Sequence, residues 1–392
     1  MKIAMILPHF YPYVGGGEKM FYDLAKGMAE AGHEVHVVTR NVGEDYLGDR
    51  IVDGIHIKYC PWKEMFGHPF PKRNDIEKEI RWCDVVHTSI FTTAPVVSIL
   101  AKKYRKPSLL TVYEVRGPKW FWSDVWYKAV IYWCVEQFAC RQRFDCYHAI
   151  SDATKKDYLH YIDYIGKKRD VRRVYIANEM GRASEQGPEE NAKKTDFSLK
   201  EYFKTGNKKV FLYYGRPGRT KGTYVYLDAI RRLRDEGADL TDTAFCFILG
   251  KEPIGPRREM KAFVKKEGLQ SLVRIRPSVS REELEEAIRQ ADVVVVPSLT
   301  EGFGFSALEA CQMGKPLIYS DGGSLPEVAF GQCSSFKNRD SADLAEKIRS
   351  VIEEKEDAFM QVPEKVFTYE NMFEGITKIY REIIKKKDRE RK

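Results

Sequence analysis

Short, continuous apolar runs alternate along this chain with stretches in which apolar residues return every three or four positions. Ile3 to Leu7, His33 to Thr39, Asp84 to Thr88, Ser108 to Tyr113 and Asp145 to Ile150 are runs of the first kind, and Gly54 to Cys60 alternates as a shorter one. Runs of this length read as strands, and most of these as strands buried on both faces of a parallel sheet. Between them, Met20, Leu24, Ala25 and Met28 share a helical face that starts near Glu18 and stops at Gly32. A second helical stretch surrounds Pro95 to Tyr104, and Ser151 or Asp152 is placed to cap the helix that follows Ile150. Arg173 to Ala177 is expected to close this half as a strand.

Residues 182–200 are polar, carry Gly187-Pro188 and have no apolar period, which makes them the best linker in the chain. The alternation then resumes. Lys209 to Tyr214 and Ala244 to Leu249 read as strands, with Leu227, Ile230 and Leu233 on a helix between them. Ser280-Arg281-Glu282-Glu283 is a capping box. Val293 to Val296 and Pro316 to Tyr319 are further buried strands, joined by a short helix through Leu308, Ala310 and Met313 that Gly314 ends. The last helix, about Glu370 to Ile384, puts Met372, Ile376, Ile379 and Ile383 on one face. Strands and helices in strict alternation imply an α/β fold with doubly wound parallel sheets.

Length turns this into two domains, since 392 residues exceed what one core usually organises. No apolar run reaches the 18 or so uncharged residues that a membrane span needs. The chain enters a strand at once, and its eight cysteines are scattered without Cys-x-x-Cys pairs, so a cytoplasmic protein with reduced thiols is expected. The net charge of +8 gathers in clusters such as Lys102, Lys103, Arg105 and Lys106, Lys167 to Arg169, and Lys385 to Lys387. That balance favours phosphates or an acidic membrane surface. Nucleic acid is not expected as a partner, because no binding motif accompanies the charge.

Candidate chemistry concentrates in Pro297 to Val328. A strand delivers Glu301 and Gly302-Phe303-Gly304 to the start of a helix, and the next strand delivers Gly322-Gly323. A helix N-terminus beside glycine turns is a receptor for an anion. Glu301 and Glu309 lie eight residues apart across that helix start, too far along it to act as a glycosidase pair. Each is better suited to a different set of ligand hydroxyls. Gly215 to Gly222 is a second glycine turn at a strand end, carrying Arg216 and Lys221. It lacks the Gly-Lys-Ser/Thr of a Walker A loop but can hold a diphosphate by charge-assisted hydrogen bonds, or stay a solvated loop. Gly15-Gly16-Gly17 follows the first strand without forming G-x-G-x-x-G, which disfavours a dinucleotide-dependent oxidoreductase.

Taken together, Gly215-Arg216 with Lys221-Gly222, VSREELEEAIRQADVVVVPSLTEGFGFSALEA and GKPLIYSDGGSLPEV resemble the GT-B glycosyltransferases of family 4. Glu301 and Glu309 meet that family's Glu, seven residues, Glu signature. Pro8, Gly15-Gly16-Gly17-Glu18 and AKGMAEAGHEVHVVT extend the likeness over nearly the whole chain. The resemblance implies two Rossmann-like domains facing a cleft whose closure excludes water. Residues 1–185 would form the acceptor-binding domain and 186–370 the nucleotide-sugar domain, with 371–392 a helix packing back on the first. It implies a retaining, metal-independent transfer of a hexosyl group from a UDP- or GDP-linked sugar to a glycan, lipid or small-molecule acceptor, with no cofactor. Arg216 and Lys221 would neutralise the leaving diphosphate, helped by the helix N-terminus. Glu301 would touch the transferred sugar and Glu309 the ribose, with Gly16, Gly17, Gly215, Gly302, Phe303, Gly304 and Phe305 lining the donor. Backbone from Arg276 to Val279 would edge the base. An epimerase or phosphorylase of the same fold, or a non-catalytic protein that binds a sugar nucleotide within a complex, is the alternative.

The chain departs from the family where Thr-Val-His-Asp becomes Thr111-Val112-Tyr113-Glu114. Tyr113 is therefore the candidate for the missing histidine's place, and His87, at the preceding strand end, is a further candidate beside Glu18 and Trp122 on the acceptor side. Asn178-Glu179 replaces the family's Asn-Gly. Lys119 to Arg143 is unusually aromatic, with Trp122, Trp126 and Trp133 near one helix face. It fits either core or interdomain packing, or an acceptor groove or membrane-interface contact beside Lys119, Lys128 and Arg141.

Overall fold

The computed structural model describes residues 1–392 except 13–14, 44–45, 66–67, 123–125, 164–167, 179–194, 251–253 and 392. Most of the expected linker, 182–194, and Glu179 thus lie outside the described residues. The chain divides into two compact units, Met1–Ala177 with Phe367–Lys392, and Asn178–Val366. Each is an α/β unit built on its own sheet.

The first sheet has eight strands, in the spatial order Val171–Arg173, Cys146–Ala149, Ser108–Val112, Val85–Ser89, Lys2–Ile6, Glu34–Arg40, Ile55–Cys60 and Gly48–Val52. All pair in parallel except Gly48–Val52, an antiparallel edge. Lys2–Ile6 pairs on one side with the strand that follows it in sequence and on the other with Val85–Ser89, so the winding reverses there. The central strands Val85–Ser89 and Ser108–Val112 are buried at every position. Helices on both faces explain why these strands read as continuous apolar runs.

The second sheet runs Val273–Pro277, Thr243–Leu249, Lys209–Gly215, Val293–Val296, Leu317–Ser320, Gly331–Phe336 and Met360–Val362, the last antiparallel. Its winding reverses between Lys209–Gly215 and Val293–Val296. In open α/β sheets the crevice at the carboxyl ends of strands at such a point is where ligands bind. Both glycine-bearing loops singled out above leave the sheet from those two strand ends.

Helix Tyr369–Arg391 belongs to the first unit, where Met372, Ile376, Ile379, Tyr380 and Ile383 are buried. It lies against helix Gly16–Glu30 so closely that a Cβ at Gly27 would stand 2.3 Å from the Phe373 ring. The helix outruns the expected end at Ile384 by several residues, its basic last turn complementing the carbonyl end of the macrodipole. Two further boundaries differ from the expectation. The closing strand of the first half is Val171–Arg173 rather than Arg173 to Ala177, because its pairing with Cys146–Ala149 stops at Arg173. Gly16 and Gly17 are not loop but the first helical turn, entered from an extended Gly15 at φ −161°.

Candidate active site

Two loops of the second unit are locked face to face by their backbones. The N–H of Leu299 donates to Thr220 O at 2.9 Å, tying the loop after Val293–Val296 to the loop after Lys209–Gly215. Gly222 sits at φ +66°, and a Cβ there would lie 1.6 Å from the carbonyl oxygen of Pro297. No side chain fits that approach. Ser324 donates twice to Glu301 O, from its N–H at 3.2 Å and its Oγ at 3.1 Å. The glycines of this region therefore exist to let three segments of backbone converge.

At the point of convergence Lys221 Nζ donates to Glu301 Oε1 at 2.5 Å, and Ser298 Oγ donates to the same oxygen at 2.9 Å. Among the described residues Oε2 makes no hydrogen bond. An ammonium for phosphate and a carboxylate for sugar hydroxyls are thus placed side by side. Arg216 is exposed on the same loop, its carbonyl accepting from Tyr213 Oη at 2.7 Å. Burial first, and then the charge of Glu301, raise the Tyr213 phenol above its ordinary range, while Arg216 opposes them. Both charges consequently lie near that ring. Helix Phe305–Gln312 begins beside them from Gly304 at φ +94°, with the buried Phe303 and half-buried Gly302 before it and Phe305 as its first residue. Gly215, at φ +140°, ends the strand beneath.

Glu309 has a different environment. Asn178 Nδ2 donates to its Oε1 at 2.7 Å, and Gln312 Nε2 donates to Asn178 O at 2.7 Å. Desolvation pushes the Glu309 carboxyl up to about 7, against the lowering effect of its Tyr214 and Asn178 hydrogen bonds. Asn178 Oδ1 and Gln312 Oε1 are buried acceptors without a partner among the described residues. The Asn178 clamp is a feature the spacing of the two glutamates does not reveal. Arg276 lies on the edge strand Val273–Pro277, three strand positions from Val293–Val296 or roughly 14 Å away, and Val279 follows that strand. The Arg276 guanidinium reaches inward to Tyr202 O at 3.1 Å.

In the first unit, Gly17 and Tyr113 meet. A Cβ at Gly17 would stand 2.9 Å from the Tyr113 ring, whose hydroxyl approaches Gly17 O at 3.5 Å. The tyrosine supports the helix N-terminus that Gly16 opens. Burial, reinforced by the charge of Glu18, raises its phenol well above the ordinary range, so it stays protonated. Glu18 folds back over Gly15, in the first turn of the same helix.

His87 does not fit an acceptor-binding role, because it is fully buried and both ring nitrogens are taken. Nδ1 meets Tyr380 Oη at 2.6 Å, and Nε2 meets Thr111 Oγ1 at 2.7 Å. Thr111 Oγ1 also meets His148 Nδ1 at 2.9 Å, and His148 Nε2 meets the carbonyl of Val174 at 2.9 Å. A carbonyl only accepts, which fixes every proton: Tyr380 donates to His87, His87 to Thr111, Thr111 to His148, and His148 to Val174. Burial lowers His87 well below its ordinary value and His148 to about 4, so both are neutral.

The aromatic stretch is also corrected. Trp122 ends a 3₁₀ helix, Gly117–Trp122, separate from helix Trp126–Cys140, so the three tryptophans do not share one helix. Trp120 is the ring that packs inward, stacked on Tyr132 and covered by the Arg116 guanidinium. Packing in the core of the first unit does not account for the rest. Trp126 is 73% exposed and Phe138 61%, with Trp122, Tyr127, Ile131 and Trp133 also exposed.

Comparison with known proteins matches each unit to a family model. The family model described as "Glycosyl transferases group 1" matches residues 194–362, and that described as "Glycosyltransferase Family 4" matches residues 14–175. The chain is 35% identical over 116 residues to the MMP alpha-(1->4)-mannosyltransferase of Mycolicibacterium hassiacum, covering 29% of this chain and 26% of that protein. It is 21% identical to one component of the human phosphatidylinositol N-acetylglucosaminyltransferase, over 97% of this chain and 75% of that one. Among solved structures, the sucrose-phosphate synthase of Thermosynechococcus elongatus superposes with a TM-score of 0.74 at 18% identity, covering 97% and 98% of the two chains. Anabaena HepE in complex with UDP gives 0.67 at 17%, covering 98% and 99%. One model thus takes in most of each unit, and the chain has the fold of the GT-B glycosyltransferases, resembling those grouped in family 4. Its alignments span only about a quarter to a third of the first curated relatives it matches. Among the described residues no helix is long and apolar enough to cross a membrane.

Proposed function

We propose that this chain transfers a hexosyl group from a nucleoside-diphosphate sugar to an acceptor hydroxyl with retention at the anomeric carbon and without a metal ion. The observation that carries the reading is the Lys221–Glu301 pair, 2.5 Å apart at the switch point of the second sheet, between loops that only glycine lets converge. The Lys221 ammonium and Arg216 guanidinium meet the diphosphate as its bond to the sugar breaks, and the N–H groups opening helix Phe305–Gln312 add to that field. Glu301 Oε2 accepts from the sugar hydroxyls while Oε1 holds Lys221. Glu309 takes the ribose, exchanging its bond from Asn178 for those of two hydroxyls. The UDP held by the Anabaena neighbour supports a nucleotide donor.

The acceptor is assigned to the first unit, near Gly16, Gly17, Glu18 and Tyr113. A lipid-linked acceptor, reached from the cytoplasmic face of an anionic membrane, is favoured by the exposed rings of helix Trp126–Cys140 and by the phosphatidylinositol named for the human relative. The test is a thermal-shift screen of the full chain against a panel of nucleotide sugars, followed by transfer assays. Lys221→Ala, Glu301→Ala and Arg216→Ala should each abolish transfer in a folded protein. A folded Lys221→Ala variant with full activity would refute the diphosphate role.

A further inference from the structure

Away from the loops described above, the surface of the first unit carries a half-open pocket of about 520 Å³ that no part of the transfer reaction uses. Six cations from three separate elements line it: Lys102, Arg105 and Lys106 at the end of helix Thr93–Lys103, Arg143 before strand Cys146–Ala149, and Lys387 and Arg391 at the end of the C-terminal helix. Only two carboxylates, Asp145 and Glu390, share the lining. Asp145 is already spent. Its Oδ1 accepts from Lys387 Nζ at 2.8 Å, and its Oδ2 from the N–H and Oγ of Ser108, each at 3.0 Å. Lys106 is held by Cys83 O at 2.6 Å, and Arg391 donates to Arg105 O. Lys102, Arg105 and Arg143 make no ion pair among the described residues.

Cations at a helix C-terminus have a plain explanation in the macrodipole, which covers Lys102 and its neighbours. It does not cover Arg143, which precedes a strand, nor does it explain why Lys387 and Arg391, from the last turns of a different helix, converge on the same space. Arg105 adds a second point. It occupies the left-handed position after the helix at φ +51°, where the N–H of Lys106 closes back on Ala101 O at 2.8 Å. Glycine is the residue that position favours, yet a long cation stands there and borders the pocket. The volume lies within the range of small-molecule pockets. Multiple unneutralised donors in such a space match the several oxygens of a phosphate or diphosphate group.

We propose that this pocket is an anion site for a phosphate- or diphosphate-bearing ligand, separate from the donor site and fastening the end of the C-terminal helix to the sheet. The phosphate belongs either to a free small molecule or to a lipid headgroup, and two probes separate these sources. Inorganic pyrophosphate is titrated calorimetrically into full-length protein carrying Arg216→Ala and Lys221→Ala, so that the loop charges of the second unit do not compete. The same protein with Lys102→Glu and Arg143→Glu added is the comparison; a Lys102→Gln, Arg143→Gln pair serves if the charge reversals do not fold. In parallel, wild type and the Lys102, Arg143 pair are sedimented with phosphatidylcholine vesicles with and without phosphatidic acid. A loss of pyrophosphate affinity of at least tenfold assigns a free anion. Pyrophosphate indifference with a tenfold loss of phosphatidic acid-dependent recovery assigns a headgroup. Binding of both probes that the substitutions leave unchanged, or no binding of either probe to the starting proteins, overturns the site.

Discussion

Replacing Tyr380 by phenylalanine removes one oxygen from the interior of the first unit and leaves the ring that packs there. That oxygen heads the chain of donors running through His87, Thr111 and His148 to Val174 O, each link 2.6–2.9 Å long. Because the far end is a carbonyl, the chain has one direction and cannot reverse to compensate. His87 Nδ1 is then left a buried acceptor with nothing to accept from, at 0% exposure. An orphaned buried group costs about 1–3 kcal/mol. For a cooperative unit of this size each kcal/mol moves the melting midpoint by roughly 2–4 °C, so a fall of about 2–12 °C is expected at pH 7.5. Calorimetry or circular dichroism reads it directly, and transfer activity at 20 °C should stay close to wild type because no ligand-facing group has changed. A midpoint within 1 °C of wild type would show that the direction of the chain was assigned wrongly, or that water replaces the hydroxyl at no cost.

The same network predicts an acid limb. Free histidine takes up its proton near 6.5 but folded His148 only at about 4, so the unfolded chain binds more protons between those values. This contribution to stability should fall as pH drops from about 6.5 toward 4, by up to ~3 kcal/mol. Glu309, raised to about 7, works in the opposite sense between about 4.5 and 7. In a Glu309→Gln background the denaturant midpoint should therefore fall between pH 7 and 5, and an unchanged one would contradict this. Glu309 titrates at about 7, and only its ionised form accepts from two ribose hydroxyls. Nucleotide affinity should therefore rise from pH 6 to pH 8 and lose that dependence in Glu309→Gln, as calorimetric titration will reveal. Gly222→Ala forces a Cβ against Pro297 O and adds left-handed strain of about 1–2 kcal/mol; transfer should fall at least tenfold, and near-wild-type turnover would show that the loops do not need to converge. Transfer should persist in excess EDTA, and its abolition would assign the diphosphate to a metal instead of Arg216 and Lys221.

Strand periodicity and loop chemistry were legible in the residues for separable reasons. Val293–Val296 is buried at every position, and a strand covered on both faces has to be apolar throughout. Gly222 and Gly304 stand where the backbone turns left-handed, which a sequence announces by type. Pairings are another matter. Lys221 meets Glu301 across 80 residues and His87 meets Tyr380 across 293. Those distances depend on the order of strands in the sheet and on the C-terminal helix returning to the first unit, neither of which leaves a periodic trace. His87, read as a strand end, is the middle residue of Val85–Ser89, and its sequence looks the same whether its neighbour is solvent or a buried tyrosine. The aromatic stretch misleads in the opposite sense, since apolar composition around a whole helix signals burial and here most of that surface is exposed.

The first unit is not contiguous: its last helix, with Tyr380 and its buried isoleucines, arrives only after Asn178–Val366 has been made. On a ribosome adding ~5–20 residues per second, the leading sheet therefore waits roughly 10–40 s with its helix-binding groove uncovered. Throughout that interval His87 Nδ1 has no phenol to accept from. The nascent second unit can complete its own sheet meanwhile, so the part of the protein made first is the part finished last. Chaperone binding during synthesis should map to the groove that Met372, Ile376, Ile379 and Ile383 eventually fill.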